Sequence, residues 1–204
     1  MQRIVENFFD TGKLGRLDGA RKDIDNYAGL ECYMGYGKDA EACASISVIF
    51  NIDGVHHILS YHYIPDAEHG GEINLKRILG DIISICRVVK VRKFIADPWS
   101  ASDMMARVRE LAADTHELRM FARNISPLMI ALKEGVDGLR MLHRGEGPTL
   151  DAITNVSVNE SRHGDFFPRK PNASVSISPL VSILMALEGW SARDKIDPFT
   201  YIKH

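Results

Sequence analysis

Ala44-Ser45-Ile46-Ser47-Val48-Ile49-Phe50, Asn51-Ile52-Asp53-Gly54 and Val55-His56-His57-Ile58-Leu59-Ser60-Tyr61-His62-Tyr63-Ile64 decide the fold class. Two β-rich runs flank a turn signal, so they read as a hairpin, and Pro65 ends it. Just upstream, Tyr27 to Tyr33 reads as a short buried strand, with a loop at Gly35 and Gly37. Residues 1–26 are charged and glycine-punctuated and read as a leader or linker remnant on the surface.

Downstream the period changes. Leu75, Ile78, Leu79, Ile82, Ile83, Cys86 and Val89 recur at helical spacing. Val91 to Ala96 reads as a strand closed by Asp97-Pro98. Ser102 is a candidate N-cap for the helix that follows. His116 to Ala122 is a further strand candidate. Ser126-Pro127 opens a helix expected to run through His143. Ala152 to Val158 reads as a late strand, 159–177 as a polar segment, and Ser178-Pro179 as the start of a closing apolar helix. A hairpin feeding into crossovers implies an α/β fold, with a mixed sheet flanked by helices. The main domain is expected over 27–193, with a tail over 194–204.

The chain has 204 residues, and 25 Lys+Arg against 27 Asp+Glu give a net charge of −2. A histone-like polycation is excluded, but a local basic face is not. Cys32, Cys43 and Cys86 are too scattered for a disulfide scaffold or a CxxC zinc site, so a reducing, cytoplasmic compartment is the default. No apolar run approaches the ~20 residues of a membrane-spanning helix. P-loop, G-x-G-x-x-G, G-x-S-x-G and H-E-x-x-H patterns are all missing.

Two carboxylates stand out by position. Glu31 falls in the first predicted strand and Asp97 ends another. Acids on apolar strands are costly to bury unless paired or metal-bound. On neighbouring parallel strands they could converge on a hard cation. Equally, Asp97 could cap the turn after it and Glu31 could point outward. His56 and His62 share one strand face and His57 takes the other. Zinc would need further ligands, and no spacing supplies them. Basic residues cluster at Arg87, Lys90, Arg92 and Lys93, at Arg140 and Arg144, and at Arg162, Arg169 and Lys170. Each cluster is a solvated face or, if they gather, a phosphate-binding surface.

Four stretches resemble a known family. They are Tyr27 to Glu31, Phe94-Ile95-Ala96-Asp97-Pro98-Trp99-Ser100-Ala101, the run from Arg123 through Leu142-His143 to Asn155-Val156-Ser157-Val158, and Ser176-Ile177-Ser178-Pro179 to Leu187. In this order they resemble the C-terminal nuclease domain of the phage terminase large subunit, over most of 27–190. The resemblance implies a ribonuclease H-like fold and cleavage of double-stranded DNA during genome packaging. It implies Mg2+ or Mn2+ in a two-metal site, whose ions sit about 3.5–4 Å apart. It also implies a packaging ATPase, portal or small terminase subunit as partners.

Carried over, the family's acids fall on Glu31, Asp97 and Ser178. Glu31 is one methylene longer than the family's Asp, and Ser178 replaces the third acid with a neutral hydroxyl. Asp165 is the candidate substitute metal ligand, and Asp39 or Glu41 could also reach in. Arg92, Lys93, Arg144, Arg169 and Lys170 are the expected DNA-binding residues. The alternative is a catalytically inactive pseudonuclease that binds DNA or docks on the packaging complex.

Overall fold

The computed structural model describes residues 3–5, 8–39, 43–66, 70–111, 113–145, 147–172 and 175–194. Its strands are β1 (Arg3–Val5), β2 (Gly15–Arg16), β3 (Glu31–Lys38), β4 (Ala44–Ile52), β5 (Val55–Tyr63), β6 (Lys90–Ala96), β7 (Thr115–Glu117), β8 (Met141–His143), β9 (Ser157–Glu160) and β10 (Phe166–Arg169). Its helices are α1 (Leu75–Val88), α2 (Pro98–Leu111), α3 (Ala122–Asp137), α4 (Gly147–Thr154) and α5 (Ser178–Asp194).

Seven strands form the main sheet in the order β2-β8-β5-β4-β3-β6-β7. β3, β4 and β5 pair antiparallel, and β6, β7, β8 and β2 add parallel at the flanks. This is the mixed sheet that the hairpin and crossovers imply, in the ribonuclease H-like form that the resemblance implies. The β4–β5 turn is tight because Asp53 and Gly54 both take positive φ, at 53° and 81°. That pair of angles belongs to the hairpin turn whose twist matches the strands. A small antiparallel sheet, β1-β9-β10, lies apart from it.

Helices cover both faces of the central strands, which is why these strands read as nearly continuous apolar runs. Cys32, Met34, Ile46, Val48, Phe50 and Phe94 join Ile78, Ile82 and Ile85 of α1 and Met104, Met105 and Val108 of α2. Tyr33, Ile49, Ile58 and Ile95 point the other way, into a core with α3 and α5. α1 is amphipathic and capped, Asn74 Oδ1 accepting from the Arg77 N–H at 3.1 Å. α5 is apolar nearly all round because α3 and α4 cover the side that the sheet does not.

Several boundaries differ from the expectations. Gly35 and Gly37 lie inside β3, not in a loop. They are glycines because α5 rests on them: a Cβ on Gly37 would come 2.5 Å from the Ser178 carbonyl oxygen and 2.6 Å from the Ser182 nitrogen. A Cβ on Gly35 would strike the Ser182 carbonyl. α2 starts at Pro98, ahead of Ser102, and is broken at Ala101. The expected strand from His116 is only β7, because α3 begins at Ala122.

α3 also ends early. Gly138 closes it by donating to the Glu134 carbonyl at 2.9 Å, and Leu139 follows at φ 56°. The chain then enters β8. Ala152 and Ile153 belong to α4, so the late strand is confined to β9. The polar segment after it contains β10. The stretch before β3 contributes Phe8, Phe9, Leu14 and Leu17 to the two cores. β1 pairs with β9, and β2 with β8. The end of the expected tail, 195–204, lies outside the described residues. Among the described residues no helix is long and apolar enough to cross a membrane.

Candidate functional site

β3 and β6 run parallel and end together, Tyr36 beside Ala96. The residues that follow, Gly37 and Asp97, therefore emerge at the same edge of the sheet, where the N-terminus of α5 places Ser178 over Gly37. Here two of the segments singled out in the sequence, those of Asp97 and Ser178, meet beside Gly37 of β3. Of these three residues only Asp97 bears a carboxylate, since Gly37 has no side chain and Ser178 offers a hydroxyl.

Glu31 does not join them. It starts β3 beside Lys90, one strand length away, about 20 Å at ~3.3 Å per residue. Its carboxylate is ion-paired with Arg92, the extra residue of a β-bulge where β3 and β6 shift register. The segment that fits the junction lies further along the chain. Gly37-Lys38-Asp39 matches the Gly-x-Asp that the resemblance gives for the family's first strand, and Asp39 lines the same cavity as Asp97, with a volume of ≈ 380 Å³.

Asp39 is held on every side. Its side chain is only 4% exposed. Oδ1 accepts from the Cys43 N–H at 3.2 Å, and Oδ2 accepts from Ser176 Oγ at 2.7 Å. The Lys170 ammonium lies 3.3 Å from Oδ2. Asp97 Oδ1 accepts from the Trp99 N–H at 3.1 Å, so it does cap the turn at the start of α2.

A chain of hydroxyls leads inward from Asp39, and its direction is fixed. A carboxylate only accepts, so Ser176 spends its hydrogen on Asp39. Ser178, 2.9 Å from Ser176, must then donate to it. Ser45, 3.0 Å from Ser178, must donate in turn. His62 Nδ1, 2.9 Å from Ser45, is left as the donor, which fixes its tautomer. Burial lowers the His62 pKa below its ordinary 6.5, against the opposing pull of Asp39. A second ladder runs below: Ser60 to Ser47 at 2.9 Å, Ser47 to Ser182 at 2.7 Å, and Ser182 to the Pro179 carbonyl at 2.9 Å. Small residues let α5 approach the sheet closely, and the hydroxyls satisfy one another there.

Of the other predicted residues, Asp165 sits at the tip of the β9–β10 hairpin beside Ser161, and lines a neighbouring cavity with Arg169. Lys170 points into the Asp39–Asp97 cavity. Arg144 lies on another patch, its guanidinium 4.4 Å from the centre of the Tyr61 ring. Arg92 is ion-paired with Glu31 and Lys93 lies beside Tyr33, in the half of β3 away from Asp97. The five basic residues thus do not form one cluster: Arg169 and Lys170 flank the acidic pocket and the others lie elsewhere. Glu41 is outside the described residues.

The donor set does not suit a pair of divalent ions. Such ions need several anionic oxygens with free lone pairs. Among the described residues this pocket offers two carboxylates, one carrying an ammonium group, and a hydroxyl where a third acid would be needed. Among the described residues no three His, Cys, Asp or Glu side chains are placed to share a metal.

A mixed sheet of this order with α5 across it defines the ribonuclease H-like class. No family model matches the sequence, and no curated protein matches it closely. Among solved structures the chain is similar to the HK97 bacteriophage large terminase, at TM-score 0.74 and 12% identity, over 92% of this chain and 44% of that one. The large terminase nuclease from thermophilic phage G20c matches at TM-score 0.69 and 11% identity, over 90% of this chain and 98% of that one. The same nuclease with bound magnesium matches at TM-score 0.64 and 13% identity, over 90% and 96%. The chain therefore has the fold of a large terminase nuclease domain, and it spans less than half the length of the HK97 terminase.

Proposed function

We propose that this chain is a terminase-type nuclease domain acting in phage DNA packaging, and that it binds double-stranded DNA without two-metal cleavage. One observation carries the reading: where Gly37, Asp97 and Ser178 meet, only Asp97 bears a carboxylate, and the nearby Asp39 is neutralised by Lys170. Lys38 on the acidic pocket and Arg169 on the neighbouring cavity supply cations that can meet a phosphate backbone. The packaging role rests on the shared fold and on the ordered sequence resemblance. Partners in this reading are DNA and the other packaging subunits.

The test is nicking of supercoiled plasmid with magnesium, manganese or EDTA, beside anisotropy binding to duplex DNA at two salt concentrations. The expected result is salt-sensitive binding and no nicking in any condition. Metal-dependent nicking that Asp97→Ala abolishes would overturn the silent site and point to the active nuclease. Absence of any duplex binding would overturn the DNA reading itself.

A further inference from the structure

Beside the acidic pocket lies a second cavity of ≈ 350 Å³, between the start of α3 and the β9–β10 hairpin. Its volume is in the range of small-ligand sites, ~300–1,000 Å³. Two half-exposed aromatic rings, Phe121 and Phe167, line it. So does Asn159, on β9, which is only 8% exposed. Its side-chain amide brings both a donor and an acceptor to the cavity wall. Arg169 and Asp165 stand at the rim, Asp165 only loosely tied to Ser161 at 3.4 Å.

A second feature points the same way. α3 begins at Ala122, also on the cavity wall, and its N-cap Phe121 offers no side-chain acceptor to the first turn. The free N–H groups of a helix start favour an anion. Outside the cavity, Trp99 is 73% exposed, with its ring edge-on to Phe121 at 5.7 Å. The Arg123 guanidinium lies 5.9 Å from the same Phe121 ring.

Together these are the parts that hold one unpaired nucleotide: aromatic faces for the base, an amide and a carboxylate for its polar edge, and an arginine and a helix start for its phosphate. We infer that this cavity receives a nucleobase from a single-stranded end of the DNA. The inference deepens the DNA-binding reading and rests on it. Asn159 both donates and accepts, and Asp165 accepts only, so a base with an exocyclic amino group fits the edge better than thymine.

The test compares three DNA probes by fluorescence anisotropy: a blunt duplex, the same duplex with a five-nucleotide dC overhang, and the same with a dT overhang. The dC overhang is expected to tighten binding by about fivefold or more, the low end of what one stacked base supplies. The dT overhang should gain less. Asn159→Ala and Phe121→Leu should each erase the dC gain and leave blunt-duplex affinity unchanged, with circular dichroism confirming the fold. If either variant unfolds, a 2-aminopurine base in the overhang serves instead: its emission should fall on binding to the unaltered protein, as stacking requires. Blunt binding with no overhang gain, or a gain that survives both variants, or unaltered 2-aminopurine emission, would overturn the inference while leaving the DNA reading intact. Failure to bind any probe would remove both.

Discussion

Lys170 Nζ lies 3.3 Å from Oδ2 of Asp39, in a pocket that also contains Asp97. The pair is largely buried, the two side chains being 18% and 4% exposed. A protein cation thus stands on the carboxylate best placed to join Asp97. The same geometry gives the pair a structural role.

Lys170→Met should therefore destabilise the fold, since Asp39 would keep its charge but lose the ammonium group beside it. The expected loss is about 1–3 kcal/mol, the usual cost of stranding a buried polar group. Asp39→Asn in the Lys170→Met background should recover part of it. Urea unfolding of the four proteins gives the numbers. A Lys170→Met protein as stable as the parent would mean that the ion pair contributes nothing.

Gly37 makes a sharper prediction. Gly37→Ala puts a methyl group 2.5 Å from a backbone oxygen of α5, and neither the strand nor the helix can swing that atom aside. Overpacking of this kind costs about 1–3 kcal/mol. By contrast, a Cβ on Gly80, in exposed space on α1, meets nothing within 4 Å. Gly80→Ala should be neutral or stabilising by up to about 1 kcal/mol. The thermal midpoints should separate in that order, and equal midpoints would contradict the close approach of α5.

The hydroxyl chain can be tested by coupling. Ser45→Ala and Ser178→Ala each leave a buried neighbour without its partner, at about 1–3 kcal/mol apiece. The double variant removes both ends of the 3.0 Å bond at once and should cost less than the sum. Additive losses in a double-mutant cycle would show that these hydroxyls do not act together.

Acid should weaken the protein through its histidines. Burial lowers the pKa of His57, His62 and His143 below the ordinary 6.5, so the unfolded chain binds protons more readily than the native one. The stabilisation is complete above about pH 6.5 and is lost as the pH falls through the folded-state values. Urea midpoints at pH 8, 6.5 and 5 should be similar for the first two and lower for the third. His62→Gln should reduce the fall. A flat profile would mean that the three rings are as easily protonated folded as unfolded.

The sheet was legible because its signals are local. The β4–β5 hairpin, α1, β6 and α5 follow from alternation, helical spacing, Asp-Gly and Ser-Pro within a few residues of each element. The boundaries of β3, α3 and β9 were not, because tertiary contacts set them: Gly35 and Gly37 read as loop residues until α5 is laid across them. Asp97 and Ser178 come from segments that the sequence singles out, and the fold brings those segments to one edge of the sheet. Glu31 was misplaced because Tyr27 to Tyr33 resembles a strand, whereas the strand starts at Glu31 and runs on past Gly37. Asp39 carried a usable signal, the Gly-x-Asp at residues 37–39. The link from Asp39 to His62 through Ser176, Ser178 and Ser45 joins residues up to 137 positions apart, beyond the reach of any local pattern.

α5 also constrains how the chain can reach this state. The hairpin it covers is made of near neighbours and can pair early, but the Ile49 and Ile58 face of that hairpin is closed by residues more than a hundred positions later. β1 likewise waits for β9, since Arg3 pairs with Glu160. During synthesis, a half-made chain must therefore carry an uncovered apolar sheet until α5 leaves the ribosome. Contacts so distant along the chain slow the final step and leave the intermediate prone to association. A chain truncated before Ser178 should collect in the insoluble fraction to a greater extent than one that includes α5.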